Sequence, residues 1–311
     1  MEKRKETLFI LIGIYVLLII CLCVSSAYAE LVHNIMFLMV ISQALNIVFG
    51  FAGLVNLGQV AFIGIGAYVF AVSVCGGLNP YISMILGGLS AVLSALLLGV
   101  VVLRFKGGLF ALGTIILTSA TPYLITGTGI AGGYYGITLY KYVGSMYNAY
   151  LLVGILIVVS VIITILTLNM TRSPFGYSLK ALREDHDAAL TAGINTFRSK
   201  LIAFCLSAIF PGIAGGVLAF KTFWVTPSGS FNMLWNIEAI LAVLLGGRGS
   251  VIGPIVGALI YQLLKDLLMR IAPGFQVLIF GFLVIVMVLF APEGVVGFLR
   301  DKVKRLRNVL V

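Results

Sequence analysis

Two groups of polar residues in this sequence have types and placements that can do chemistry. Asn46, Asn56, Gln59 and Glu238 stand inside, or at the edge of, runs that are otherwise apolar. Amide side chains there can turn donors and acceptors toward a passing solute, or bond backbone groups freed by a broken helix. An acid in such a run is a functional candidate by default, and Glu238 can equally anchor a short helix near a surface. The second group is the one long polar run, Thr171 to Lys200. It carries Arg172, Lys180, Arg183, Glu184, Asp185, Asp187, Arg198 and Lys200. Neither group has the spacing of an enzyme. His33 and His186 are isolated, and no Ser/His/Asp set or metal-type cluster is apparent. No Gly-x4-Gly-Lys-Ser/Thr phosphate loop occurs, so any ATP used must be hydrolysed on another chain. Gly127-Thr-Gly129-Ile-Ala-Gly132 has the spacing of a dinucleotide loop, but no strand precedes it. No catalytic residue, cofactor or metal is therefore expected.

The elements that position these residues follow from composition. The chain is 61% hydrophobic and 10% charged, with mean hydropathy +1.17. Soluble domains carry about 25% charged residues. Apolar runs long enough to cross a bilayer recur along the whole chain, and no alternating pattern suggests a barrel. The fold class is all-α: a polytopic transmembrane bundle, one domain over residues 1–311. The net charge of +10 does not indicate nucleic acid. All Lys and Arg except Lys141, Lys221, Lys265 and Arg270 fall at 3–5, 104–106, 172–200, 248 and 300–307. These positions share one side of the expected topology, which makes that side, with both termini, cytoplasmic. Cys21, Cys23, Cys75 and Cys205 sit in apolar runs and read as small hydrophobes.

In chain order, Leu8–Ser26 is apolar and is followed by Ala27-Tyr28-Ala29, which resembles a signal-peptide cleavage site. The run is long enough to span and reads as an uncleaved first helix. Residues 33–75 follow, broken in the middle by Asn46, Gly50, Gly53, Asn56, Gly58 and Gln59. Glycine costs about 1 kcal/mol per helical position relative to Ala. So many glycines there imply close helix packing or a discontinuous helix lining a cavity. Further spans are expected over 79–103, 108–126, 150–169, 201–220, 253–268 and 276–290, with 127–148 an external loop. Ile237–Leu245 is short, roughly 15 Å at the helical rise. Lys265 and Asp266 are expected as a neutralised pair near the external end of their span. The count is about ten crossings. Gly50 and Gly53 match Gly246 and Gly249 in spacing, which suggests a two-fold internal repeat with a site at its interface.

The polar run reads as one amphipathic helix at a membrane surface. Ser173 suits its N-cap, Pro174 the first helical position and Gly193 the residue after its last turn. Phe175, Leu179, Leu182, His186 and Ala189 fall on one face; Lys180, Arg183, Glu184 and Asp187 fall on the other. It is either a solvated connector or a docking helix for a cytoplasmic partner.

Three segments resemble the permease subunits of branched-chain amino acid ABC importers, the LivM type. The first runs from Ala44-Leu-Asn46 through Gly50, Gly53, Gly58-Gln59 and Phe62 to Gly66-Ala67-Tyr68. The second runs from Gly176 through Arg183-Glu184-Asp185 and Asp187-Ala188-Ala189-x3-Gly193 to Phe204. The third holds Ile237-Glu238, Leu245-Gly246-Gly247-x-Gly249-Ser250, Gly253-Pro254 and Gly257-Ala258. The sequence departs from the family pattern at Asn56, often Ser, and at Pro211, usually Ala. The resemblance implies that Asp187-Ala188-Ala189-x3-Gly193 is an EAA-type coupling loop within 171–200 that docks into an ATPase, with Arg183 and Glu184 beside it. It implies a heteromer of this chain, a second permease of LivH type, two ATP-binding subunits and an extracytoplasmic substrate-binding protein. The expected function is import of Leu, Ile or Val, with Asn46, Asn56, Gln59 and Glu238 near the translocation path. Urea-type permeases share similar motifs. A stand-alone secondary transporter with inverted repeats is the rival from another class.

Overall fold

The computed structural model describes residues 13–16, 27–105, 107–271 and a few positions between 274 and 297. The expected first span, the last span over 276–290 and the basic tail lie largely outside the described residues.

Helix α1 (Ala27–Asn46) runs directly into a π turn, Ile47–Phe51. After an irregular segment the chain re-enters the bundle as α2 (Gln59–Cys75). Helices α3 (Pro80–Val102), α4 (Gly108–Thr128) and α5 (Ala149–Met170) follow. The polar run then forms α6 (Pro174–Glu184) and α7 (His186–Thr191). Helix α8 (Thr196–Thr222) leads to α9 (Met233–Gly246) and α10 (Gly253–Ile271). Six helical segments among the described residues are long and apolar enough to cross a membrane. They are Tyr28–Phe51, Pro80–Val102, Gly108–Thr128, Ala149–Met170, Thr196–Thr222 and Pro227–Gly246. The last is longer than the sequence suggests, because a turn at Pro227–Ser230 and the segment from Met233 extend the apolar run.

Capping explains where several elements begin. Asn79, Asn148, Asn195 and Asn232 each accept a hydrogen bond from a backbone N–H in the first turn that follows. Such caps contribute about 1 kcal/mol each. In the 127–148 region, Ile137–Thr138 pairs antiparallel with Trp224–Val225. Two residues per strand are too short to leave an alternation in the sequence.

The centre of the bundle is a glycine crossing. A Cβ placed on Gly66 would strike the Gly212 carbonyl, and one on Gly215 would strike the Ile63 carbonyl. On Gly87 it would lie 2.8 Å from the Gly66 oxygen. Helices α2, α3 and α8 therefore meet backbone to backbone, with packing supplying the attraction that lipid-like surroundings do not. Around this centre α1 is almost wholly buried, whereas α3 and α4 present Leu93, Leu97, Leu109, Leu112 and Ile116 outward. An outer surface of this kind suits a lipid bilayer.

Candidate functional site

The polar run is not one helix. Ser173 caps its start, its Oγ accepting from the Gly176 N–H at 3.1 Å, with Pro174 at the first position. The helix stops at Asp185, where φ and ψ are extended. The Asp185 carboxylate accepts from the Asp187 and Ala188 N–H groups at 2.8 and 3.0 Å, starting α7. An aspartate whose side chain competes for backbone donors favours such a restart. The result is an elbow, α6–Asp185–α7, followed by Gly193 at φ +80°.

One face of the elbow is inward. Leu179, Leu182 and Ala189 are buried in a cluster with Ile47, Val48, Phe51, Ala52 and Phe204. Phe175 and His186 are half-buried, and Lys180, Glu184, Asp187 and Ala188 are exposed. Arg183, expected among the outward charges, keeps part of its surface in the open but turns its guanidinium inward: Nη1 donates to the Gly50 carbonyl at 2.9 Å.

The sequence break between α1 and α2 is an irregular stretch several of whose polar groups are met by side chains. Asn56 Oδ1 accepts from the Gly58 N–H at 2.9 Å, and Asn56 Nδ2 donates to Gln59 Oε1 at 2.9 Å. Gln59 Nε2 donates to the Ser207 carbonyl at 2.8 Å. The Leu57 N–H donates to Thr114 Oγ1, and the Gln59 N–H to Asn236 Oδ1 at 3.1 Å. All of these amide side chains are buried. Ser207 lies about 16 Å along α8 from its start, so the tip of α2 sits deep in the bundle. Asn46 faces another neighbour. Its Oδ1 accepts from the Gly249 N–H at 2.9 Å, and its Nδ2 donates to the Ser250 carbonyl at 2.8 Å. It fastens the first glycine break to the second.

Glu238 stands apart from these amides. It pairs with Lys265 on α10 at 2.6 Å, both side chains largely covered. Asp266 pairs with Arg270 one turn on, at 3.0 Å. The expected Lys265–Asp266 pair is therefore replaced by two pairs, because adjacent helical residues point apart and Lys265 faces α9. Sequence reasoning missed Asn236 and Thr114. Asn236 carried a signal, an amide within the apolar run of α9; it is wholly buried, and its Nδ2 has no partner among the described residues. No group of His, Cys, Asp and Glu able to hold a metal occurs among the described residues.

The family model for the permease component of branched-chain amino acid transport systems matches residues 27–290. The permease LivM of a high-affinity branched-chain amino acid transport system in Salmonella typhimurium is 29% identical, covering 96% of this chain and 77% of that protein. Its Escherichia coli K12 counterpart is 30% identical, over 90% of this chain and 72% of that protein. A probable LivM permease of Methanocaldococcus jannaschii is 22% identical, over 83% and 89%. No solved structure matches. A buried glycine-broken helix bundle with an exposed charged elbow, matched by the family model across both, makes this chain a member of the permease-component family of branched-chain amino acid transport systems.

Proposed function

We propose that this chain is the membrane subunit of an ATP-driven importer that moves leucine, isoleucine or valine across the cytoplasmic membrane. The observation that carries the reading is the elbow: an exposed charged surface whose apolar underside is packed on the end of a broken, buried helix. A surface so placed can pass movement of a partner into the bundle without carrying nucleotide chemistry itself. The partners are a second permease of LivH type, two ATP-binding subunits and an extracytoplasmic binding protein, a reading that rests on the coupling-loop pattern. The ATPase meets Glu184, Asp187, Ala188 and the Gly193 turn, while Ala189 packs beneath. Arg183 belongs to the inner side of the elbow.

The path for solute runs beside the tip of α2, near Asn56, Gln59 and Asn236, with Asn46 and Glu238 supporting its walls. Alternating access then follows from rocking two halves built around the breaks near Gly53 and Gly249. The full chain makes about ten crossings with both termini on the elbow side, at roughly one apolar run per crossing. Selectivity lies mainly in the binding protein.

Reconstitution tests this directly. Proteoliposomes holding this chain with its co-purifying partners take up labelled leucine only when ATP is supplied. Uptake by this chain alone, without ATP, would overturn the reading in favour of a secondary transporter.

A further inference from the structure

Arg183 closes α6 just before the Asp185 elbow, and three independent features converge on it. Its Nη1 donates to the carbonyl of Gly50, inside the π turn that ends α1. Its stem lies over Gly53: a Cβ there would be 3.0 Å from Arg183 Cγ and 3.3 Å from its Cα. Its guanidinium lies against Gly249, where an added Cβ would strike Nη1 and sit 2.9 Å from the Gly50 oxygen. Gly53 and Gly249 both have positive φ, so side chains are disfavoured there on two counts. One turn before Gly50, Asn46 ties the same spot to Gly249 and Ser250.

The chemistry suits a mechanical link. Carbonyls in the last turn of a helix lack intrahelical donors and form the negative end of its dipole. A guanidinium there makes a charge-assisted bond that is stronger than a neutral one. The element it caps, α1, is the most enclosed of the bundle's long helices. A shift of the elbow therefore pulls on the end of α1 and on the second break together.

We propose that Arg183 is a positioning residue, the strut through which the elbow moves both glycine breaks, and that it acts within this chain rather than as a contact for an outside partner. The proposal rests on the importer reading for its consequence but not for its geometry.

The test uses the whole transporter, with Arg183→Gln and Arg183→Lys compared with the wild type. Arg183→Gln is expected to keep ATPase co-purification and ATP hydrolysis while lowering solute moved per ATP about tenfold, the factor a lost charge-assisted bond carries. Arg183→Lys, which keeps the charge and a donor, recovers most of that loss. Where the Gln variant fails to accumulate in membranes, the Lys variant alone is read for a smaller loss of the same kind. A second readout does not need the partners. Spin labels at Lys180→Cys and Arg248→Cys, in a background with the native cysteines replaced by alanine, report the separation of elbow and second break. Both residues are exposed. The distance distribution is narrow when Arg183 is present and broad in R183Q. Loss of ATPase co-purification in R183Q would make Arg183 a docking contact and overturn the proposal. So would an unchanged distance distribution with unchanged solute per ATP. A wild type that recruits no ATPase overturns the importer reading and leaves the distance test standing.

Discussion

The two glycine breaks meet at Asn46 but are built on different principles. The first spans an irregular stretch from Ala52 to Gly58, and side chains of that stretch and of α2, α4 and α9 satisfy it: Asn56, Gln59, Thr114 and Asn236. The second, between α9 and α10, is a short turn closed largely within itself. Ser250 Oγ donates to the Gly247 carbonyl at 3.0 Å and accepts from the Gly253 N–H at 2.9 Å. A Cβ on Gly246 would strike the Gly253 carbonyl, and one on Gly257 the Ala242 carbonyl. The first break thus carries the polar side chains, and the second is a tight hinge that leaves no room for a side chain at Gly246 or Gly257.

This contrast predicts where substitutions hurt. Asn46→Leu removes the bridge between the breaks and leaves the Gly249 N–H and Ser250 carbonyl without their partner. It should destabilise the protein by about 2–6 kcal/mol, at about 1–3 kcal/mol for each of the two unsatisfied groups, read as a lower Tm in detergent. Gly246→Ala should cost about 1–3 kcal/mol through overpacking of the α9–α10 hairpin. Gly154→Ala, inside α5 where a Cβ meets nothing within 4 Å, should instead raise the Tm slightly, by up to about 1 kcal/mol of helix propensity. Equal tolerance at the two positions would contradict the tight-hinge account. Glu238→Gln leaves Lys265 partly covered without its counter-charge. A loss of about 1–2 kcal/mol is expected, with the double variant Glu238→Gln/Lys265→Gln recovering most of it. No recovery in that double-mutant cycle would mean Glu238 acts elsewhere, as on the path. Smallest is Asp185→Ala, which removes the cap of α7 for about 1 kcal/mol. It should increase proteolysis at the elbow while leaving the breaks unaffected.

The long apolar spans were legible because their lengths and boundaries are written in composition. Ser173-Pro174 marked a helix start that the cap realises. The break over Gly50–Gln59 was legible because glycines and amides interrupt an apolar run. The elbow was not: the apolar spacing from Phe175 to Ala189 continues through Asp185, and only the geometry of that carboxylate stops the helix. The inward turn of the Arg183 guanidinium and the Glu238–Lys265 pair were hidden for a different reason. Each joins residues far apart in sequence, and helical periodicity assigns a face without naming what lies opposite. Asn236 stood out as an amide in an apolar run, but a single residue has no period to reveal its role.

The claim that this chain is one part of an ATP-driven machine is tested most directly by what it holds in its native membrane. The measurement is affinity purification of the tagged chain in mild detergent, with co-purifying chains identified by mass spectrometry. Two ATP-binding chains and a second permease, with a binding protein whose ligand is a branched-chain amino acid, are the predicted result. Recovery of this chain alone, still carrying solute in liposomes, would contradict it.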